Sequence, residues 1–140
     1  MELEFQYKRV TRDIELESLA ELAKLCFNMD VDRSYFEWKY FDNPCGEVVA
    51  YVALSHNKIV AFYGVIPEWY CENGKVVKIF QSMDTMTHPD FRRLGLFVKL
   101  ANRCFDDLAK ENPDYLVLGF PAPASYSGFV KKLGWTSVFF

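Results

Sequence analysis

Asp84-Thr85-Met86-Thr87-His88-Pro89-Asp90-Phe91-Arg92-Arg93-Leu94-Gly95-Leu96-Phe97 carries a β-strand through a basic, glycine-bearing loop into a helix. The first amides of a helix lack intrahelical partners, and the helix dipole adds a partial positive charge at the same end. A turn of this kind is therefore a cradle for an anion, above all a phosphate or pyrophosphate. Gly95 lets the backbone approach such a group closely, and Arg92 or Arg93 can add charge-assisted hydrogen bonds. The plainer reading is a helix that merely opens at Gly95 with its arginines solvated.

Downstream of the cradle, Leu94, Phe97, Val98, Ala101, Phe105 and Leu108 recur at helical spacing, with Lys99, Asn102, Arg103, Asp106 and Lys110 on the opposite side. Asn112-Pro113-Asp114 ends that helix, and Tyr115 to Phe120 reads as an apolar strand. Tyr126, Phe129, Val130 and Leu133 mark a final helix closed by Gly134, and Trp135 to Phe140 starts a sixth strand. Upstream, Glu4 to Val10 fits an edge strand. Ile14 to Phe27 is an amphipathic helix with Asp13 as its expected cap. Ser34 followed by Glu37 is a capping-box signal for a short aromatic helix from Tyr35 to Phe41. Val48 to Leu54 and Ile59 to Cys71 are β-branched and aromatic, and a short polar turn joins them. Asn73-Gly74 then supplies a type I′ hairpin into the strand Val76 to Thr87. The order predicts an α/β (α+β) domain whose mostly antiparallel sheet contains one right-handed parallel pair, flanked by about four helices.

The 140 residues are 51% hydrophobic and 17% aromatic, enough for one compact domain spanning 1–140. A net charge of −3 gives no electrostatic support for nucleic acid or a membrane surface, since the basic spots are limited to Arg92-Arg93 and Lys131-Lys132. No apolar run approaches the ~18 residues that cross a bilayer, and the charged start does not read as a signal peptide, so a cytoplasmic protein is expected. Cys26, Cys45, Cys71 and Cys104 are scattered, with only His56 and His88 to complete a metal site. They read as reduced, mostly buried thiols, and no metal is expected.

Element order and cradle together resemble the GNAT N-acetyltransferases, whose signature Arg/Gln-x-x-Gly-x-Gly/Ala opens the third helix. Arg92, Gly95 and Phe97 stand at the matching positions. The lead-in Thr85 to Phe91 and the segment Phe129-Val130-Lys131-Lys132-Leu133-Gly134-Trp135 also resemble the family, so the likeness covers nearly the whole chain. It implies acetyl-CoA as cosubstrate. The pyrophosphate would lie on the amides of Arg93, Leu94, Gly95, Leu96, Phe97 and Val98, with Arg92 nearby, and the pantetheine arm would pair with a splayed strand end at Thr85, Met86 and Thr87. Phe97 departs from the small residue usual there. It lies on the apolar stripe, so its side chain can point into the core while its amide faces the cofactor.

The implied reaction is direct attack of a primary amine on the thioester, with no cysteine nucleophile and with an amide near Met86 polarising the carbonyl. Many family members place a tyrosine on the fourth helix to protonate the departing thiolate, and Val130 holds that position here. Tyr126, one turn earlier, is the substitute candidate; its alternative role is that of a core aromatic. The amine must lose its proton, and Asp84 and Glu68 are the candidate bases, Asp84 alternating with Ser82 and Met86 along its strand. For Glu68 simple solvent exposure competes with that role, and for His88 a structural place in the loop. Tyr35, Phe36, Trp38, Tyr40 and Phe41 either line an acceptor groove or pack in the core. The acceptor is expected to be a small-molecule or peptide amine. A competing reading is a non-catalytic CoA-binding or interaction domain, or one half of a larger acyltransferase. The apolar Val138-Phe139-Phe140 falls in the sixth strand, where the family adds a seventh. A homodimer through that edge, or a further carboxyl-terminal segment of a longer protein, is expected to complete the sheet.

Overall fold

The computed structural model describes residues 3–138. Among these, five strands form one sheet in the order β1-β2-β3-β4-β5: Gln6–Arg9, Val49–Ser55, Lys58–Glu72, Lys75–Thr87 and Val117–Gly119. The first three pairings are antiparallel and β4–β5 is parallel. Asn73 (φ 50°) and Gly74 (φ 77°) are both left-handed, as a type I′ turn between β3 and β4 requires.

Helix α1 (Leu16–Phe27) buries Leu16, Leu19, Leu22 and Ala23 against one face of the sheet. Asp13 does not cap it. Ile14 N–H bonds to the Thr11 carbonyl in a preceding turn, and the helix opens uncapped at Glu15. Helix α2 (Arg33–Phe36) runs on as a wider π-helical turn, Glu37–Phe41. Its cap is Asp32, whose carboxylate accepts from the Ser34 amide at 3.0 Å. Glu37 pairs with Arg33 at 2.6 Å instead of closing a capping box. Phe36, Tyr40 and Phe41 join the α1 core while Trp38 is exposed, so this aromatic segment is mainly core.

The opposite face carries α3 (Leu96–Glu111), which buries Leu96, Leu100, Ala101, Cys104 and Leu108. Leu94, expected on that stripe, precedes the helix and is exposed. The strand expected over Tyr115 to Phe120 shortens to Val117–Gly119 because β4 accompanies it only from Phe80 to Ser82. Helix α4 (Pro123–Ser127) continues as a π-helical turn, Gly128–Lys132. Beyond Gly134, the described residues 135–138 form no strand. Trp135 is held instead by its amide on the Phe129 carbonyl and by its ring, 4.5 Å from that of Phe129. Phe139 and Phe140 of the expected edge lie outside the described residues. The thiols are all free, and Cys71 is exposed rather than buried.

Candidate active site

Strands β4 and β5 part company after the pair Ser82–Gly119. From Met83 to Thr87 the outer edge of β4 has no strand beside it among the described residues, so the two strands form a fork. A β-bulge on β4 opens the fork. Phe62 pairs with Met86 and Gly64 with Met83, so Asp84 and Thr85 stand opposite the single residue Tyr63, one residue of extra length, with Asp84 at φ 56°. The bulge breaks the alternation expected along this strand. Ser82 lies on the α3 face beside Tyr63, whereas Asp84 turns with Met86 to the α1–α2 face.

At the far end of β4, His88 accepts from the Asp90 amide at 3.1 Å and caps a short 3-10 turn, Pro89–Phe91. Arg92 is extended, with its Nε 3.4 Å from the Thr87 carbonyl. Arg93 (φ 62°) and Gly95 (φ 76°) are both left-handed. The first helical bond of α3 runs from Lys99 N–H to the Gly95 carbonyl at 3.1 Å, and Gly95 supplies no side-chain cap. The amides of Leu96, Phe97 and Val98 therefore have no helical acceptor. No atom approaches within 4 Å of where a Gly95 Cβ would stand, so the space over the cradle is open. Phe97 turns inward as expected, its ring 5.0 Å from Phe129 and 5.6 Å from Tyr63.

On the α1–α2 face, Asp84 Oδ2 accepts from Tyr40 Oη and from Lys39 Nζ, both at 2.6 Å. Lys39 also stands 3.3 Å from Tyr35 Oη and over the rings of Tyr35 and Tyr40. Burial alone would lower the Lys39 pKa, but the hydrogen bond and charge of Asp84 outweigh it and raise the value. Burial, reinforced by Asp84, holds the Tyr40 phenol well above its ordinary pKa. Asp84, Met86, Phe27 and Tyr35 close around a crevice too tight to admit a water molecule. A separate groove of about 1470 Å³ runs between α1, residues 28–33 and the β2–β3 turn, reaching His88 and Phe91 at the margin of the cradle.

The other expected residues fall outside this cluster. Glu68 pairs with Ile79, roughly 17 Å along the strand from Asp84, and accepts from Tyr70 Oη at 2.9 Å. Tyr126 on α4 is 43% exposed, a surface position rather than a core one, while Val130 is half-buried. Lys39 and Tyr40 were not singled out as polar site residues from sequence. The available signal was one lysine inside an otherwise aromatic run, Tyr35 to Phe41. Among the described residues no cluster of three metal-ligating side chains occurs, and no helix is long and apolar enough to cross a membrane.

A family model described as an acetyltransferase (GNAT) domain matches residues 6–138. Solved structures with the same fold include glucosamine-6-phosphate N-acetyltransferase from Arabidopsis thaliana. It is 18% identical with a TM-score of 0.74, over 98% of this chain and 95% of that one. A predicted acetyltransferase from Clostridium acetobutylicum, solved with acetyl-CoA, is 20% identical with a TM-score of 0.73, over 96% and 92%. An aminoglycoside acetyltransferase from an uncultured soil metagenomic sample, in complex with sisomicin, is 15% identical with a TM-score of 0.66, over 97% and 93%. A search of curated protein sequences returned no match.

Proposed function

Because the chain belongs to the GNAT acetyltransferase family, we propose that it transfers an acetyl group from acetyl-CoA to the primary amine of a small molecule or peptide. The observation that carries this reading is the pairing of an uncapped, left-handed cradle at Arg93 to Val98 with an open fork at Met83 to Thr87. The cradle suits a pyrophosphate: three free amides, the positive end of the α3 dipole, and open space above Gly95. Arg92 and Arg93 are exposed beside it and add charge. The unpaired edge at Thr85, Met86 and Thr87 offers backbone groups to an amide-bearing arm. Acetyl-CoA supplies an activated thioester; the chain orients it and manages protons.

An aliphatic amine attacks only when neutral, so a base within reach of the fork is needed. Asp84 stands there already ionically paired, which suits an ammonium seat: a carboxylate flanked by the faces of Tyr35 and Tyr40. An acceptor ammonium entering from the α1–α2 side would exchange with Lys39 and then shed its proton to Asp84 directly or through water. Tyr126 is kept as the candidate proton donor to sulfur, and Glu68 as the second candidate base, set roughly 17 Å along the strand from Asp84. The similar folds named for glucosamine-6-phosphate and aminoglycosides favour an amino-sugar-sized acceptor. The cytoplasm remains the expected compartment.

The competing reading, a CoA-binding domain without turnover, draws on one observation: Lys39 and Tyr40 already satisfy Asp84. Thermal shift with acetyl-CoA and CoA, followed by thiol release across an amine panel, separates the two. A shift with acetyl-dependent thiol release supports the enzyme. A shift without release, and no effect of Tyr126→Phe, sinks it, while no shift at ligand far above micromolar levels removes the cofactor reading altogether.

A further inference from the structure

Tyr63 is the β3 residue that faces the bulge, between the pairs Phe62–Met86 and Gly64–Met83. Its ring enters the α3 core, 5.6 Å from Phe97 and 5.8 Å from Phe105. The residue is completely buried, and its hydroxyl makes no hydrogen bond of acceptable geometry although the Ser82 side chain lies beside it. Such a phenol costs stability, and phenylalanine would fill the same space without that cost. Ser82 is itself 7% exposed. It is the last β4 residue paired to β5, and its Cβ is 3.4 Å from the position a Gly119 Cβ would take. The two hydroxyls therefore meet at the vertex of the fork, on the face opposite Asp84. An arm running into the fork from a pyrophosphate at the cradle would point toward this vertex.

We propose that the Ser82 hydroxyl donates to the sulfur of coenzyme A at the vertex of the fork, and that Tyr63 is the positioning residue behind it, its unpartnered hydroxyl turning to donate to Ser82 Oγ when the ligand is bound. This rests on the acetyl-CoA reading above. As the acceptor nitrogen bonds to the acetyl carbon, the carbon–sulfur bond breaks and its electron pair stays on sulfur, where the Ser82 O–H stabilises the charge. The proton shed by nitrogen leaves to Asp84 or water, and the thiolate, held by Ser82, is then protonated by Tyr126 or by solvent. Tyr63 loses no proton. Burial raises its pKa, so it is a poor acid, yet its O–H still fixes and polarises that of Ser82.

Calorimetric titration of the wild type, Ser82→Ala and Tyr63→Phe with CoA and with desulfo-CoA, at a pH where the thiol is partly ionised, tests this without any acceptor. The wild type is expected to prefer CoA by about fivefold or more, as one hydrogen bond to a charged sulfur warrants. In both variants the ratio falls to about one. Tyr63→Phe retains or raises the thermal midpoint, which separates the effect from misfolding. An unchanged ratio in either variant, or equal affinities in the wild type, overturns the proposal while leaving the cofactor reading standing. Failure to bind either ligand overturns both.

Discussion

Gly95 joins backbone conformation to ligand space: φ is 76° and nothing lies within 4 Å of its absent Cβ. Gly95→Ala should therefore lose stability through backbone strain alone, about 1 kcal/mol in urea unfolding. It should also bind acetyl-CoA more weakly in a titration, because the methyl enters the cradle. Tyr40 keeps its stacking on Phe36 and Phe62 without its hydroxyl. Tyr40→Phe should thus lose mainly the hydrogen bond to Asp84, about 2 kcal/mol for a bond to a carboxylate, read by the same unfolding measurement. Lys39 carries a pH signature. Its pKa is raised above 10.5 in the folded protein, so its contribution is complete below that value and lost as pH climbs through the folded pKa. The stability gap between the wild type and Lys39→Met should stay flat from about neutral to about pH 9 and close above about pH 10.5, followed by thermal midpoints across pH. Asp84 was nameable from sequence as a carboxylate within the strand that leads into the cradle. Its partners were not, because Lys39 and Tyr40 reach it from 44 or more residues away in the chain.

Elements transmit the geometry of the fork. Helix α4 comes close to α3 because Gly128 has no side chain: a Cβ there would stand 2.9 Å from the Phe97 ring. Gly128→Leu should cost about 1–3 kcal/mol through overpacking and should weaken CoA binding by displacing Phe97, checked by unfolding and titration together. Period and punctuation revealed α1, α3 and the β3–β4 hairpin, since an amphipathic stripe and an Asn-Gly turn are local signals. They did not reveal the bulge at Asp84. Its residues look like any alternating strand, and only the ladder with β3 shows that two of them lack partners. Among the described residues, 135–138 form no sixth strand for a related reason. Residues from Trp135 carry strand-like composition, but Trp135 is captured by Phe129 on the α3 face.

For the whole molecule, two cores lie on opposite faces of one sheet, and Asp84 and Ser82, near the fork, face different ones. Ligand binding only to this assembled form should stabilise it globally, by about 2.7 kcal/mol at a hundredfold excess over Kd, seen as a parallel shift of the urea transition. The order of elements and the open helix start could be read from the chain because both depend on neighbours in sequence: periodicity for helices, a glycine and arginines ahead of a helix for the left-handed turn into α3. That order also carries the family, which the matching domain over residues 6–138 now establishes. The direction in which Asp84 points, its seizure by Lys39 and Tyr40, and the meeting of Tyr63 with Ser82 arise from pairing register and packing. Those are sums over distant residues, and a single strand's pattern holds no record of them.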